Sequence, residues 1–142
     1  MPVRTARAEW NGNLKEGTGS VRTESGAVDG PYNFPSRFEE GDQTNPEELV
    51  GAAHAACFAM ALSNILASHG HDPRSVRATA KVRLEVKEGG AAITGIQLVC
   101  RATVGDIEED HFLEHAEEAK KGCPVSKALA AVPIELDAAL EG

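Results

Sequence analysis

Several stretches of the chain alternate between apolar and polar residues with period two, and one long stretch does not alternate at all. From Val76 to Val86 the even positions are Val76, Ala78, Ala80, Val82, Leu84 and Val86, and the odd ones are Arg77, Thr79, Lys81, Arg83 and Glu85. This pattern predicts a strand with one face in a core and one in water. Gly89-Gly90 turns the chain, and Ile96, Leu98, Cys100, Ala102 and Val104 continue the pattern as its antiparallel partner. Val132 to Ala138 alternates again and predicts a closing strand. Residues 3–10 and 18–24 alternate more weakly on either side of Asn11-Gly12-Asn13 and predict a hairpin. Residues 25–44, rich in Gly, Pro, Ser, Asn and Asp, predict a loop with a short strand over 33–38, and a loop is where functional side chains are often carried.

The non-alternating stretch runs from Leu49 to Ala67 and predicts a buried central helix. Asn45 as N-cap, Pro46 in the first helical position and Glu48 three residues after the cap form a capping-box start, and Gly70 after His69 suits a left-handed stop. Asp106 to Lys121 predicts a charged amphipathic helix ended by Gly122, after which Cys123-Pro124 opens a short helix reaching about Ala130. The order of elements predicts an α+β fold in which a sheet packs against a nearly all-apolar helix.

The 142 residues predict one domain, 1–142, because that length suits a single core. With 22 acidic against 14 basic side chains, the net charge of −8 argues against nucleic acid or an anionic membrane surface as partner. The N-terminal arginines are followed by no apolar run, so no secretory signal is expected. The Leu49–Ala67 stretch is too rich in Ala and Gly, and carries too many polar residues, for a membrane span. Three cysteines are too few for a secreted disulfide framework, which makes the cytoplasm the expected compartment.

The thiols differ by context. Cys100 lies on the inward face of a patterned strand and reads as a small buried hydrophobe. Cys123 stands at the start of the short helix, where backbone N–H groups favour a thiolate, and a reactive and a structural role suit it equally. Cys57 is mid-helix among small apolar neighbours, so burial would leave it inert unless an outside cation such as an arginine reversed the effect. His54, three residues earlier, is close enough for a Cys–His pair of the kind hydrolases use. A zinc site from Cys57, Cys123, His54 and His69 matches no recognised ligand spacing. No phosphate-binding glycine loop or Gly-x-Ser-x-Gly elbow occurs.

TNPEELVGAAHAACFAMALS at 44–63, GCPVSKAL at 122–129, ESGAVDGPYNFPSRFEEG at 24–41 and ITGI at 93–96 together resemble the osmotically inducible protein C and organic hydroperoxide resistance family (OsmC/Ohr), in its OsmC branch. The resemblance implies an intertwined α+β homodimer, with antiparallel sheets packed around long central apolar helices and active sites at the subunit interface. It also implies a thiol-dependent peroxidase that reduces small-molecule or lipid hydroperoxides to alcohols without cofactor or metal, and is regenerated by an external dithiol, a lipoyl-type one among the candidates. Cys57 matches the peroxidatic cysteine, Cys123 the resolving one, Arg37 the arginine that activates the thiolate, and Glu47 the carboxylate that partners it. A redox sensor using the same cysteine pair, and a hydrolase using Cys57 with His54, are the rival readings. A continuous helix would put Glu47 and Cys57 about 15 Å apart along its axis. Three arrangements would reconcile that span with one site: a bent first turn, an Arg37 that bridges to the sulfur, or a Glu47 supplied by a second subunit. The last is the favoured expectation.

Overall fold

The computed structural model describes residues 1–141, which form two compact units, one of Met1–Leu49 and one beginning at Val50. In the first unit β1 (Ala6–Asn11), β2 (Thr18–Thr23) and β3 (Asp29–Tyr32) form an antiparallel meander in that order. The predicted hairpin is its first half. Its turn closes through the Asn13 side chain, which accepts the Glu16 N–H, with Gly12 at φ +99°. The strand expected over 33–38 is instead a short helix, α1 (Phe34–Phe38). The Asn33 side chain accepts the Ser36 N–H at 2.9 Å, and Pro35 occupies the first turn, so cap chemistry overrides the extended tendency of the aromatic residues.

Helix α2 spans Pro46–Ser68 without a break, and its first turn belongs to the first unit. The capping box is only half made: Asn45 Oδ1 accepts the Glu48 N–H at 2.7 Å, but the Glu48 carboxylate accepts from the Thr44 hydroxyl. The C-terminus ends as expected. Gly70 takes φ +83°, the His71 N–H donates to the Leu66 carbonyl and the Gly70 N–H to the Ala67 carbonyl, which is a full Schellman stop.

In the second unit β4 (Asp72–Lys87) pairs antiparallel with β5 (Gly90–Gly105), and β6 (Ile134–Leu140) pairs parallel with β5, giving the order β4-β5-β6. The parallel pairing needs a crossover, and α3 (Glu109–Gly122) and α4 (Pro124–Ala128) supply it. Leu98, Cys100 and Ala102 on the central strand are fully buried. Onto them pack Phe58, Leu62 and Leu66 from α2 and Phe112, Ala116 and Ala119 from α3. The alternation of β4 holds until a register shift between Arg83 and Leu84, beyond which Val86 is exposed.

Within this single chain the central helix is buried on one side only. His54, Phe58, Leu62 and Leu66 recur every four residues and are buried, whereas Ala52, Ala53, Ala56 and Met60 on the other side are exposed, Met60 by 76%. α2 is long and apolar enough by length and composition to cross a membrane, yet its Phe58, Leu62 and Leu66 sit in the core of the second unit. Its exposed side is mostly apolar through its middle, between Glu48 at one end and Asn64 and Ser68 at the other.

Cys100 is fully buried, and that burial pushes its thiol from an ordinary value of 9.0 up to about 11, against the opposing pull of Arg101 and Arg77. Above pH 9 an unfolded chain loses this proton while the folded chain keeps it. Stability contributed by Cys100 is thus complete below pH 9 and is lost as pH rises toward 11, by roughly 2–3 kcal/mol. Urea unfolding across that interval is expected to show the decline, and Cys100→Ala is expected to abolish this part of it. Leu98→Ala, at the centre of the same core, is expected to lower the unfolding free energy by about 2–5 kcal/mol at neutral pH.

Candidate active site

The residues singled out from sequence fall into two groups, one in each unit. In the first, Arg37 sits in the last turn of α1 and Glu47 in the first turn of α2. Arg37 Nε donates to Glu47 Oε1 and Nη2 to Oε2, both at 3.0 Å, a bidentate charge-assisted pair. Glu47 is buried, and the Arg37 side chain keeps about a third of its surface open, so one side of the guanidinium stays available. The loop between them is pinned: Asn45 Nδ2 donates to the Ser36 carbonyl, and the Gln43 N–H donates to the Ser36 hydroxyl. A Cβ on Gly41 would collide with Ser36, so the chain passes there only as glycine.

Beside Arg37 lies a cavity of about 210 Å³ lined by Trp10, Leu14, Tyr32, Phe34 and Phe38. Gly19 on β2 stands in register with both Trp10 and Tyr32, and its missing side chain lets the two rings approach to 5.3 Å between centroids. Phe34, the first residue of α1, lines this cavity with Phe38. Phe58 is fully buried in the core of the second unit. Trp10, Tyr32 and Phe38 were not anticipated, although strand register through a central glycine was the available signal.

In the second unit Cys57 is half-buried in α2, and Cys123 is the N-cap of α4. Both are free thiols, and so is Cys100. Burial pushes the Cys57 thiol up, the Val125 N–H opposes this, and a hydrogen bond with Cys123 adds to the rise. For Cys123 burial is also the largest influence and acts upward. It is outweighed by the Ser126 hydroxyl and N–H, the Cys57 thiol and the Val125 N–H, which together hold Cys123 below its ordinary value. The Ser126 N–H reaches Cys123 Sγ at 3.3 Å, and the Ser126 hydroxyl lies at the same distance. Within this unit Cys123 is therefore the more acidic of the two thiols, and Cys57 is held up chiefly by its burial.

His54 does not pair with Cys57. Its Nε2 lies 2.7 Å from Ser126 Oγ, both residues are buried, and burial lowers the imidazole pKa so that the ring is neutral. The Cys57–His54 hydrolase arrangement is not formed. Ser126 itself was missed at the sequence level, although its place three residues after an N-capping cysteine is the position whose N–H a cap receives. Among the described residues, no three His, Cys, Asp or Glu side chains converge to hold a metal ion.

Residues 39–137 match the family described as OsmC-like protein, a span that contains Glu47, Cys57, Cys123 and Ser126. Peroxiredoxin OsmC of Escherichia coli (strain K12) is 47% identical over 129 residues, 90% of each chain. Organic hydroperoxide resistance protein OhrB of Bacillus subtilis (strain 168) is 30% identical over 130 residues, 90% of this chain and 91% of that one. The crystal structure of OhrB of Bacillus subtilis has the same fold, with a TM-score of 0.70 at 27% identity over 96% of this chain and 98% of that one. With the family match and the 47% identity agreeing across most of its length, the chain belongs to the OsmC-like protein family.

Proposed function

We propose that this protein is a cysteine-based peroxidase that reduces organic hydroperoxides to alcohols. Two relatives carry the names peroxiredoxin and organic hydroperoxide resistance protein. The observation that carries the reading is Cys123 at the start of α4, its Sγ accepting the Ser126 N–H at 3.3 Å, with Cys57 of α2 near enough to influence its ionisation. In the first step the Cys57 thiolate attacks the peroxide O–O bond. One oxygen stays on sulfur as a sulfenic acid, and the other leaves with the alkyl group and takes a proton to become the alcohol. Cys123 then displaces the sulfenic hydroxyl as water, and an external dithiol reduces the resulting disulfide.

Arg37 is assigned two tasks. It supplies the cation that Cys57 lacks in its own unit, and its forked donors polarise the peroxide oxygen as charge develops there. Glu47 holds the guanidinium in place. The aromatic cavity beside Arg37 favours an alkyl or acyl tail over hydrogen peroxide, since burial of apolar surface rewards only the former.

The exposed apolar side of α2, with Met60 at its centre, supports a homodimer in which a second copy covers that face. In such a dimer Arg37 and Glu47 of one chain serve Cys57 of the other.

Consumption of cumene hydroperoxide with a dithiol reductant tests the chemistry. Wild type is expected to turn over many equivalents and Cys57→Ser none, while Cys123→Ser loses dithiol-supported turnover. Consumption that stops after one equivalent in wild type would mean a sensor. Arg37→Ala is expected to lower the rate at pH 7 by on the order of 100-fold, with partial recovery above pH 9 as Cys57 ionises unaided. Sedimentation is expected to give a dimer. Co-expressed Arg37→Ala and Cys57→Ser chains are expected to restore activity, because only the mixed dimer contains an intact site; no recovery would mean that each chain builds its own.

A further inference from the structure

His54 and Ser126 have no part in the cycle above, yet they form the shortest buried side-chain contact in the second unit. His54 Nε2 and Ser126 Oγ are 2.7 Å apart, and Ser126 Oγ is 3.3 Å from Cys123 Sγ. All three residues are nearly or fully buried. The other imidazole nitrogen, Nδ1, is buried without a partner. An orphaned lone pair is better tolerated in such a place than an orphaned N–H, so Nδ1 is the bare nitrogen and Nε2 carries the proton. Nε2–H then donates to Ser126 Oγ, which leaves the hydroxyl hydrogen free for the sulfur beyond it.

We propose that His54 is a positioning residue which, through the Ser126 hydroxyl, presents Cys123 as the thiolate that closes the disulfide. This rests on the peroxidase reading above. While Cys123 is a thiol, its S–H donates to Ser126 Oγ; once it ionises, the hydroxyl turns and donates to the sulfur alongside the Ser126 N–H. In the closing step the electron pair of the Cys123 thiolate forms the S–S bond as the S–O bond of the Cys57 sulfenic acid breaks. That bonding pair leaves on oxygen, and the hydroxide takes up the proton that Cys123 had released, so water departs. The titratable groups facing Cys123 are Cys57 and, behind Ser126, His54. Lys120, Lys121 and Lys127 line a cavity that Ser126 also borders, and none of them is among the groups that shift Cys123.

The test follows thiolate absorbance near 240 nm against pH in a Cys57→Ser/Cys100→Ala background, where Cys123 is the remaining thiol and no reagent has to reach it. Adding Ser126→Ala is expected to leave about tenfold less thiolate at pH 7, the loss of one hydrogen bond to a charged group. His54→Leu is expected to match Ser126→Ala, and His54→Gln, which keeps an N–H donor, to titrate within threefold of the parent. A Ser126→Ala titration that superimposes on the parent overturns the proposal. So does a shift in Ser126→Ala that His54→Leu does not share or, where His54→Leu does not fold, a His54→Gln profile as displaced as that of Ser126→Ala. The titration involves no turnover, so it stays readable if wild type proves unable to consume hydroperoxide, and the two readings fail separately.

Discussion

A thiolate is stable only where donors or cations replace the water it loses, and the residues around each cysteine can be understood from that requirement. For Cys100 the pull of Arg101 and Arg77 is too weak to replace that water. Buried among Leu98, Ala102 and the apolar faces of two helices, it keeps its proton and serves as packing. Cys123 has several replacements within hydrogen-bond reach, two of them from Ser126. Cys57 has one backbone donor, too little to offset its burial, and the neighbouring Cys123 adds to the rise. The same atom type therefore takes three different characters in one small α+β unit, according to the count of N–H and O–H groups aimed at it.

Helix α2 holds this arrangement in phase. Its buried stripe of His54, Phe58, Leu62 and Leu66 is fixed against the β4-β5-β6 sheet and α3, so the rotation of the helix is set by the cost of exposing large apolar side chains. With the rotation fixed, Cys57 lies at the edge of the stripe and reaches Cys123, while His54 within the stripe reaches Ser126. One polar residue in an otherwise apolar stripe is tolerated because Ser126 takes its Nε2. The first unit uses a different device: a buried carboxylate paired with a half-open guanidinium, whose orientation is set by a short capped helix and a pinned loop.

Much of the fold was legible from alternation and punctuation. The long hairpin of β4 and β5, the first hairpin, the Gly70 stop and the helix after Asp106 all follow from local periodicity and from glycine's access to positive φ. The misreadings share one cause. The short helix over 34–38 and the half-made capping box turn on which of two nearby polar groups a side chain chooses, and a choice among partners of similar strength is not written in spacing. The one-sided burial of α2 escaped for a related reason: a helix apolar on every side gives no indication of which side the chain's own sheet will cover.

By itself the sequence singled out Cys57, Cys123, Arg37 and Glu47, because the segments around them are specific in composition and order, and it placed Cys100 in a strand interior. Only the tertiary structure decided how those residues are bonded. It joined Arg37 to Glu47 in two parallel hydrogen bonds, brought the Cys57 and Cys123 thiols together, and turned His54 away from Cys57 toward Ser126. The last two of these pairings join α2 to α4, far apart along the chain. They are fixed by the rotation of a packed helix and the register of a sheet, which no local pattern of residues specifies.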